Sequence, residues 1–165
     1  MAGRIVVGTD GSIGSRSALR WAAEEARLRG ASIDLVHAWS PEFLPWSSPI
    51  YSAAAGATYE EEVVLPPIEN VRRNVQSALK EILTAEGLLG NDPPTQGLEV
   101  EGPSGKSLVE AARDADLLVV GARGLGEIRG LFLGSVSLYC VTHAGCPVVV
   151  VRDHGPDDDS ASTES

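Results

Sequence analysis

The chain has 165 residues, of which 43% are hydrophobic and 22% charged, and this composition fits one globular domain with a single core. Its formal net charge is −10, but residues 153–165 hold five acids and no lysine or arginine, which leaves 18 acidic against 13 basic residues elsewhere. That balance disfavours nucleic acid as the main partner, and no run approaches the ~18–20 apolar residues of a membrane span.

The first 40 residues predict a strand, a helix and a second strand. Residues 4–9 form a β-branched apolar run with a glycine near its end, as in a buried parallel strand. Glycines and serines within 11–15 predict a turn, and apolar residues at helical spacing predict a helix over 17–29 that ends at Gly30. Residues 31–38 form the second predicted strand.

A long loop is expected at residues 40–59. This segment holds three prolines, four of the chain's eight aromatic residues and no steady period. Loops of this length in a compact domain are commonly functional or disordered. The aromatic side chains suit packing over the edge of the sheet. They also suit a lid over a ligand, because the loop leaves the second strand at its carboxyl end.

Helices and strands alternate through the rest of the chain. A 3.6-residue period predicts a helix between Pro67 and Gly87. The remaining elements are strands at 96–101, 115–121 and 146–152, and helices at 105–113 and 135–144. This order predicts an α/β fold, with a parallel sheet covered by helices on both faces. We expect a single domain over residues 1–152 with an insertion at 40–60, and an acidic disordered tail at 153–165.

Two segments follow strands at the predicted switch point of the sheet. Residues 8–12 (Gly-Thr-Asp-Gly-Ser) come after the first strand, and residues 121–137 after the fourth. Ligands of open α/β sheets bind outside the carboxyl ends of the strands, where the strand order reverses. We therefore expect both segments to border one crevice.

The second segment is rich in glycine, which lets backbone N–H groups approach phosphate oxygens. A helix that starts at Gly134 and Ser135 would present unpaired N–H groups to an anion. Ser137 adds a hydroxyl group, and Arg123 and Arg129 add positive charge. These features favour a phosphate loop, although the glycines alone also fit a flexible turn. The glycines are Gly121, Gly124, Gly126, Gly130 and Gly134.

At these residues the chain resembles the ATP-binding universal stress proteins. The spacing Gly121-x2-Gly124-x9-Gly134-Ser135 is similar to that of their nucleotide loop. The opening IVVGTDGS and the segments LVHAW, DLLVVGARG and CPVVVVR resemble their first, second, fourth and fifth strands. The elements match in order over residues 3–153.

The resemblance implies an adenine-nucleotide α-hydrolase-like fold with strand order 3-2-1-4-5 and a site for ATP, AMP or ADP. It implies that Asp10 contacts the ribose or a phosphate that carries Mg²⁺, and that the backbone at Ala38 reads the adenine edge. Gly8 and Thr9 would line the adenosine side. The ribose and phosphates would be held by Gly121, Arg123, Gly124, Gly134, Ser135 and Val136, with Ser137 beside them.

Other site patterns fit less well. Gly105-Lys106-Ser107 imitates the end of a P-loop, but Val100 stands where that motif needs its first glycine. The spacing Gly8-x2-Gly11-x2-Gly14 does not fit a dinucleotide fingerprint. His37 lies in a predicted buried strand and is expected to be a core histidine. No Ser/His/Asp grouping has a catalytic spacing, so no catalytic residue is assigned.

The leading hypothesis is a regulatory stress protein in which ATP changes conformation or partner contacts, with at most slow hydrolysis. One alternative is an adenine-nucleotide α-hydrolase-like enzyme with weak ATPase or adenylyl chemistry. The Ser-Gly-Gly-x-Asp-Ser run of such enzymes is only partly met by residues 9–12. The other is an interaction module with an incidental nucleotide. The resemblance also implies a homodimer through the apolar edge strand from Pro147 to Val151.

Location and redox state follow from what the sequence lacks. No signal peptide precedes the first strand pattern at Arg4, so the cytoplasm is the expected location. Cys140 and Cys146 are too few for a disulfide framework and match no metal-binding spacing. We expect both to be reduced packing residues.

Overall fold

The computed structural model of the chain describes residues 3–40, 67–90, 92–125 and 132–153. Within these ranges, strands and helices alternate along the chain. The strands are β1 (Arg4–Gly8), β2 (Ser32–Trp39), β3 (Thr95–Glu101), β4 (Leu117–Gly121) and β5 (Val148–Val151). The helices are α1 (Ile13–Arg29), α2 (Ile68–Ala85), α3 (Ser104–Ala111) and α4 (Ser135–His143).

The five strands form one parallel sheet in the order β3-β2-β1-β4-β5, which confirms the expected fold. Helices α1 and α2 cover one face, and α3 and α4 cover the other. Ile5 and Val7 point into the first core, which lies between the sheet and helices α1 and α2. Val6 points into the second core, between the sheet and helices α3 and α4, because successive side chains of a strand alternate. The chain reverses its direction of winding between β1 and β4, so the ligand crevice of this fold class opens beyond their carboxyl ends.

Helix α1 begins at Ile13, four residues before the predicted start. Ser12 is its N-cap, and the hydroxyl oxygen of Ser12 accepts a hydrogen bond of 3.2 Å from the backbone N–H of Ser15. Of the residues interpreted as a turn, Gly11 and Ser12 precede the helix, and residues 13–15 belong to its first turn. The predicted apolar face is correct, since Ala18, Leu19, Ala22 and Ala26 are all buried.

The amino ends of the inner strands are joined by charged and polar side chains. The guanidinium group of Arg4 donates 2.8 Å to the buried carboxylate of Asp34, whose other oxygen accepts 2.7 Å from the Gln96 amide. A second guanidinium nitrogen of Arg4 donates a hydrogen bond to the carbonyl of Ala111. The backbone N–H of Arg4 donates a hydrogen bond of 2.7 Å to the carboxylate of Asp116. These bonds link β1 to β2, and β2 to β3. They also link β1 to the end of α3 and to the residue that precedes β4.

Several expectations concern residues outside the described ranges. The predicted loop at 40–59, apart from Ser40, and the acidic tail beyond Asp153 lie there, as do Gly126, Arg129 and Gly130 of the glycine-rich segment. In the described ranges, no helix has both the length and the apolar character needed to cross a bilayer.

Candidate ligand crevice at the carboxyl edge of the sheet

The hydrogen-bond ladder between β1 and β2 ends just before the crevice. Its last bond joins the Thr9 N–H to the Val36 carbonyl at 2.9 Å. The next bond of a parallel ladder would join the Ala38 N–H to the Thr9 carbonyl, but the Ala38 amide has no hydrogen-bond partner among the described residues. Half-buried Ala38 thus offers one backbone donor and one backbone acceptor on the side of β2 that faces the crevice.

The turn after β1 is organised by short polar side chains. The Oδ1 atom of Asp10 accepts a hydrogen bond of 3.0 Å from the backbone N–H of Ser12. The Thr9 hydroxyl is 3.1 Å from the hydroxyl of Ser15 and accepts 3.2 Å from the Gly11 N–H. Thr9 and Ser15 are buried, so this network fixes the turn against the first turn of α1.

Asp10 also joins this turn to the glycine-rich segment. Its Oδ2 atom accepts a hydrogen bond of 3.0 Å from the backbone N–H of Leu125. A Cβ atom at Gly124 would overlap with the same oxygen, so a larger residue there would displace the Asp10 carboxylate from its bond to Leu125. The structure therefore brings together Asp10 and Gly124, two residues that the sequence assigned to one site.

A second contact between the two segments involves only main chain. A Cβ atom at Gly14 would lie 2.9 Å from the carbonyl oxygen of Arg123, and one at Gly121 would lie 2.9 Å from the main chain of Gly14. The first turn of α1 and the exit from β4 thus touch without side chains between them. The half-exposed floor of the crevice is peptide backbone at this point.

Helix α4 starts beside the same floor. The Gly134 N–H donates 2.7 Å to the Ala122 carbonyl, and the Ser137 hydroxyl donates 2.6 Å to the Gly121 carbonyl. The first bond inside the helix runs from the Leu138 N–H to the Gly134 carbonyl. The N–H groups of the three residues between them have no partner in the described part of the chain, and Gly134 provides no side-chain cap.

The other predicted site residues take different positions. Arg123 and Ser135 are exposed. Val136 packs partly against the second core. A Cβ atom at Gly8 would lie 2.7 Å from the Leu108 side chain, so this glycine is explained by packing against α3 rather than by close approach of a ligand.

His37 is buried below the β1 turn, and its Nδ1 atom lies 2.7 Å from the carbonyl oxygen of Thr9. Burial lowers the pKa of His37, while the bond to Thr9 and the charges of Asp10 and Glu99 partly oppose this shift. The ring is therefore neutral near pH 7. Sequence reasoning treated His37 as a core residue and missed this contact, as it missed the roles of Gly14 and Ser15. The only signal in the sequence is the position of His37 next to Ala38 at the end of β2.

Metal ligands are sparse around the crevice. No group of three or more His, Cys, Asp or Glu side chains suited to a metal ion occurs in the described ranges. Asp10 lies at the crevice with both carboxylate oxygens bonded to backbone N–H groups. Each oxygen keeps a second lone pair, so this carboxylate fits a cation that takes most of its ligands from elsewhere.

The sheet order defines a doubly wound α/β domain, a class of fold that binds ligands at its topological switch point. The profile of the universal stress protein family matches residues 1–152, and the chain belongs to that family. Universal stress protein Rv2623 of Mycobacterium tuberculosis is 38% identical over 156 residues, which cover 90% of this chain and 47% of that protein. The chain spans about half the length of the first curated relatives it matches.

Two solved structures of similar proteins contain adenine nucleotides. A universal stress protein in complex with cAMP is 26% identical, has a TM-score of 0.62, and aligns over 92% of this chain and 97% of its own. The universal stress protein from Archaeoglobus fulgidus in complex with dAMP is 25% identical, has a TM-score of 0.54, and aligns over 91% and 97%.

Proposed function

We propose that this domain binds an adenine nucleotide, ATP, in the crevice and acts as a cytoplasmic regulatory protein. The observation that carries the proposal is the convergence of the two segments through Asp10 and Leu125, with backbone groups on both sides of that bond that are unpaired among the described residues. The complexes of related proteins with cAMP and dAMP support the choice of an adenine nucleotide.

In this proposal, the base lies against the end of β2. Adenine carries an amino donor beside ring-nitrogen acceptors, and Ala38 offers a carbonyl and an N–H on one side of its strand. Guanine presents an acceptor and a donor in the reverse order along the same edge. The pairing with Ala38 therefore favours ATP over GTP.

The phosphates lie between Gly124 and the start of α4. The free N–H groups at that helix end suit a phosphate, because they combine hydrogen-bond donors with the partial positive charge of the helix. Arg123 adds a full positive charge at the mouth of the crevice. Mg²⁺ would be held by Asp10 and the phosphate oxygens, in accord with its preference for one or two carboxylates plus a nucleotide.

We propose a regulatory role rather than efficient catalysis. In the described part of the chain, the acidic group at the crevice is Asp10, and both of its oxygens are bonded to backbone N–H groups. This carboxylate is already engaged in joining the two segments of the crevice. Nucleotide-dependent contacts with a partner fit this site better than rapid turnover, and hydrolysis is expected to be slow.

Equilibrium dialysis with ATP and GTP tests the proposal. We expect retention of ATP in the wild-type protein, at least tenfold weaker retention of GTP, and loss of ATP binding in Gly124→Val. Lys106→Ala is the matched control, because Lys106 belongs to the P-loop-like run on α3. No uptake at millimolar ATP, or unchanged uptake in Gly124→Val, would refute the proposal.

We also propose a homodimer through β5. This edge strand consists of four valines, all half-buried. Pro147 and Val151 direct their carbonyls to β4, so the N–H groups of Val148 and Val150 point away from the sheet and are available to a second copy. Ultracentrifugation of Val150→Pro, which removes one outward N–H, should show a monomer. Val150→Ala keeps the N–H and should remain a dimer; a monomeric wild-type protein refutes the proposal.

A further inference from the structure

Where the hydrogen-bond ladder between β1 and β2 ends, the carbonyl oxygen of Thr9 is bonded to a side chain instead of to the backbone of β2. The Thr9 carbonyl is where the next ladder bond from Ala38 would end, yet it lies 2.7 Å from Nδ1 of His37. A carbonyl oxygen only accepts, so Nδ1 carries the hydrogen and donates. The histidine ring thus takes the acceptor that regular pairing would give to the neighbouring backbone N–H.

We propose that His37 is a positioning residue for the nucleotide site, because its bond to Thr9 holds β1 away from β2 and keeps the Ala38 backbone available to the base. The inference rests on the proposed function and names a device within the same site. His37 itself does not touch the ligand. It determines which backbone groups remain unpaired.

The hydrogen bond between His37 and the Thr9 carbonyl is strengthened by the burial of both residues. His37 is 4% exposed and Thr9 is 8% exposed, so water does not readily replace either partner. Without the ring donor, the Thr9 carbonyl would turn back to the Ala38 N–H, because a buried carbonyl without a partner is costly. A bond from the Ala38 N–H to the Thr9 carbonyl would extend the ladder by one hydrogen bond. It would also occupy the N–H group that the base needs.

The side chain of Thr9 holds the same residue from a second direction. Its hydroxyl is bonded to Ser15 at the start of α1, while its carbonyl is held by His37 on β2. Thr9 is thereby fixed between helix and strand. Since Asp10 follows directly and contacts Leu125, the orientation of Thr9 also sets the carboxylate that joins the two segments.

Two substitutions separate the hydrogen bond from the volume of the ring. In His37→Asn, the side-chain amide nitrogen occupies nearly the place of Nδ1 and donates to the Thr9 carbonyl. In His37→Leu, the volume is largely kept and the donor is lost. Ile33→Val is the control, because Ile33 is fully buried in the same strand and its truncation lowers stability without touching the turn.

The first readout needs no nucleotide. Amide hydrogen exchange of the free protein, followed by NMR, should show fast exchange at Ala38 in the wild type and in His37→Asn. In His37→Leu this amide should become protected at least tenfold, because it regains the Thr9 carbonyl. Equal exchange at Ala38 in all three proteins overturns the inference, whether or not ATP binds.

The second readout is ATP affinity by calorimetry, with thermal unfolding measured on the same samples. We expect about tenfold weaker binding in His37→Leu, near wild-type binding in His37→Asn, and unchanged affinity in Ile33→Val at a comparable loss of stability. Equal affinity in His37→Leu and the wild type overturns the inference. Absence of ATP binding in the wild type refutes the proposed function alone, and the exchange at Ala38 then still decides the role of His37.

Discussion

The carboxylate of Asp10 accepts a hydrogen bond of 3.0 Å from the backbone N–H of Leu125, although the two residues are 115 positions apart in the chain. This bond joins the exit of β1 to the exit of β4 across the switch point of the sheet. The other oxygen of Asp10 accepts from Ser12 in its own turn. One side chain is therefore bonded to both walls of the crevice.

Asp10→Asn should weaken both this link and nucleotide binding. The carboxamide keeps an acceptor for Ser12 but turns a donor toward the Leu125 N–H, so a charge-assisted bond worth about 1.5–3 kcal/mol is lost. We expect at least tenfold weaker ATP binding, measured by calorimetry. Asp116→Asn is the control, since Asp116 accepts 2.7 Å from the Arg4 N–H at the opposite edge. Its ATP affinity should stay at the wild-type value, and an equal loss in both variants would contradict the assignment.

Gly14→Ala should destabilise the protein even though Gly14 lies in a helix. Alanine in place of glycine inside a helix normally gains about 1 kcal/mol. Here the new Cβ atom would lie 2.9 Å from the Arg123 carbonyl and push the two walls apart. Urea unfolding should show a lower midpoint than the wild type. Gly90→Ala, where no atom lies within 4 Å of the added Cβ, provides the comparison, and a higher midpoint for Gly14→Ala is the contrary result.

Acidification should weaken the fold through His37. Because burial lowers its pKa, the unfolded chain binds a proton more readily than the folded one at mildly acidic pH. The stability is fully present above the unfolded pKa of about 6.5 and falls as the pH decreases toward the lower folded pKa. Unfolding free energies of the wild type and His37→Asn between pH 7.5 and pH 5.5 should diverge, with the steeper decline in the wild type. Parallel pH profiles would show that His37 does not contribute.

The two thiols should be inert in the folded protein. Burial, with a smaller effect of Cys146, raises the pKa of Cys140 to about 11, and burial also raises the pKa of Cys146. The thiolate is the reactive form, and little of it is present at neutral pH. Iodoacetamide at pH 7.5 should label the native protein slowly and the urea-unfolded protein fully, as read by mass spectrometry. Rapid labelling of native Cys140 would be inconsistent with its complete burial.

The sequence predicted the alternation of elements and most of the buried faces, because apolar periodicity reports which side of an element is covered. It misplaced the start of α1, because Gly14 has a low helix propensity and only its contact with the Arg123 carbonyl explains its presence. Asp10 was recognised by its place in a motif. The partners of Asp10 and His37 were not, because both bonds run from a side chain to distant backbone, which leaves no pattern in residue types.

The bonds of Arg4 to Asp34 and Asp116 have a mechanical consequence for regulation. They fasten β1 to its neighbours at the amino edge of the sheet, opposite the crevice. If the proposed nucleotide displaces residues at the crevice, we expect the displacement to increase from this fastened end toward the first turns of α1 and α4. A partner that senses the occupied state should therefore touch those two helix starts, and not the far end of the sheet.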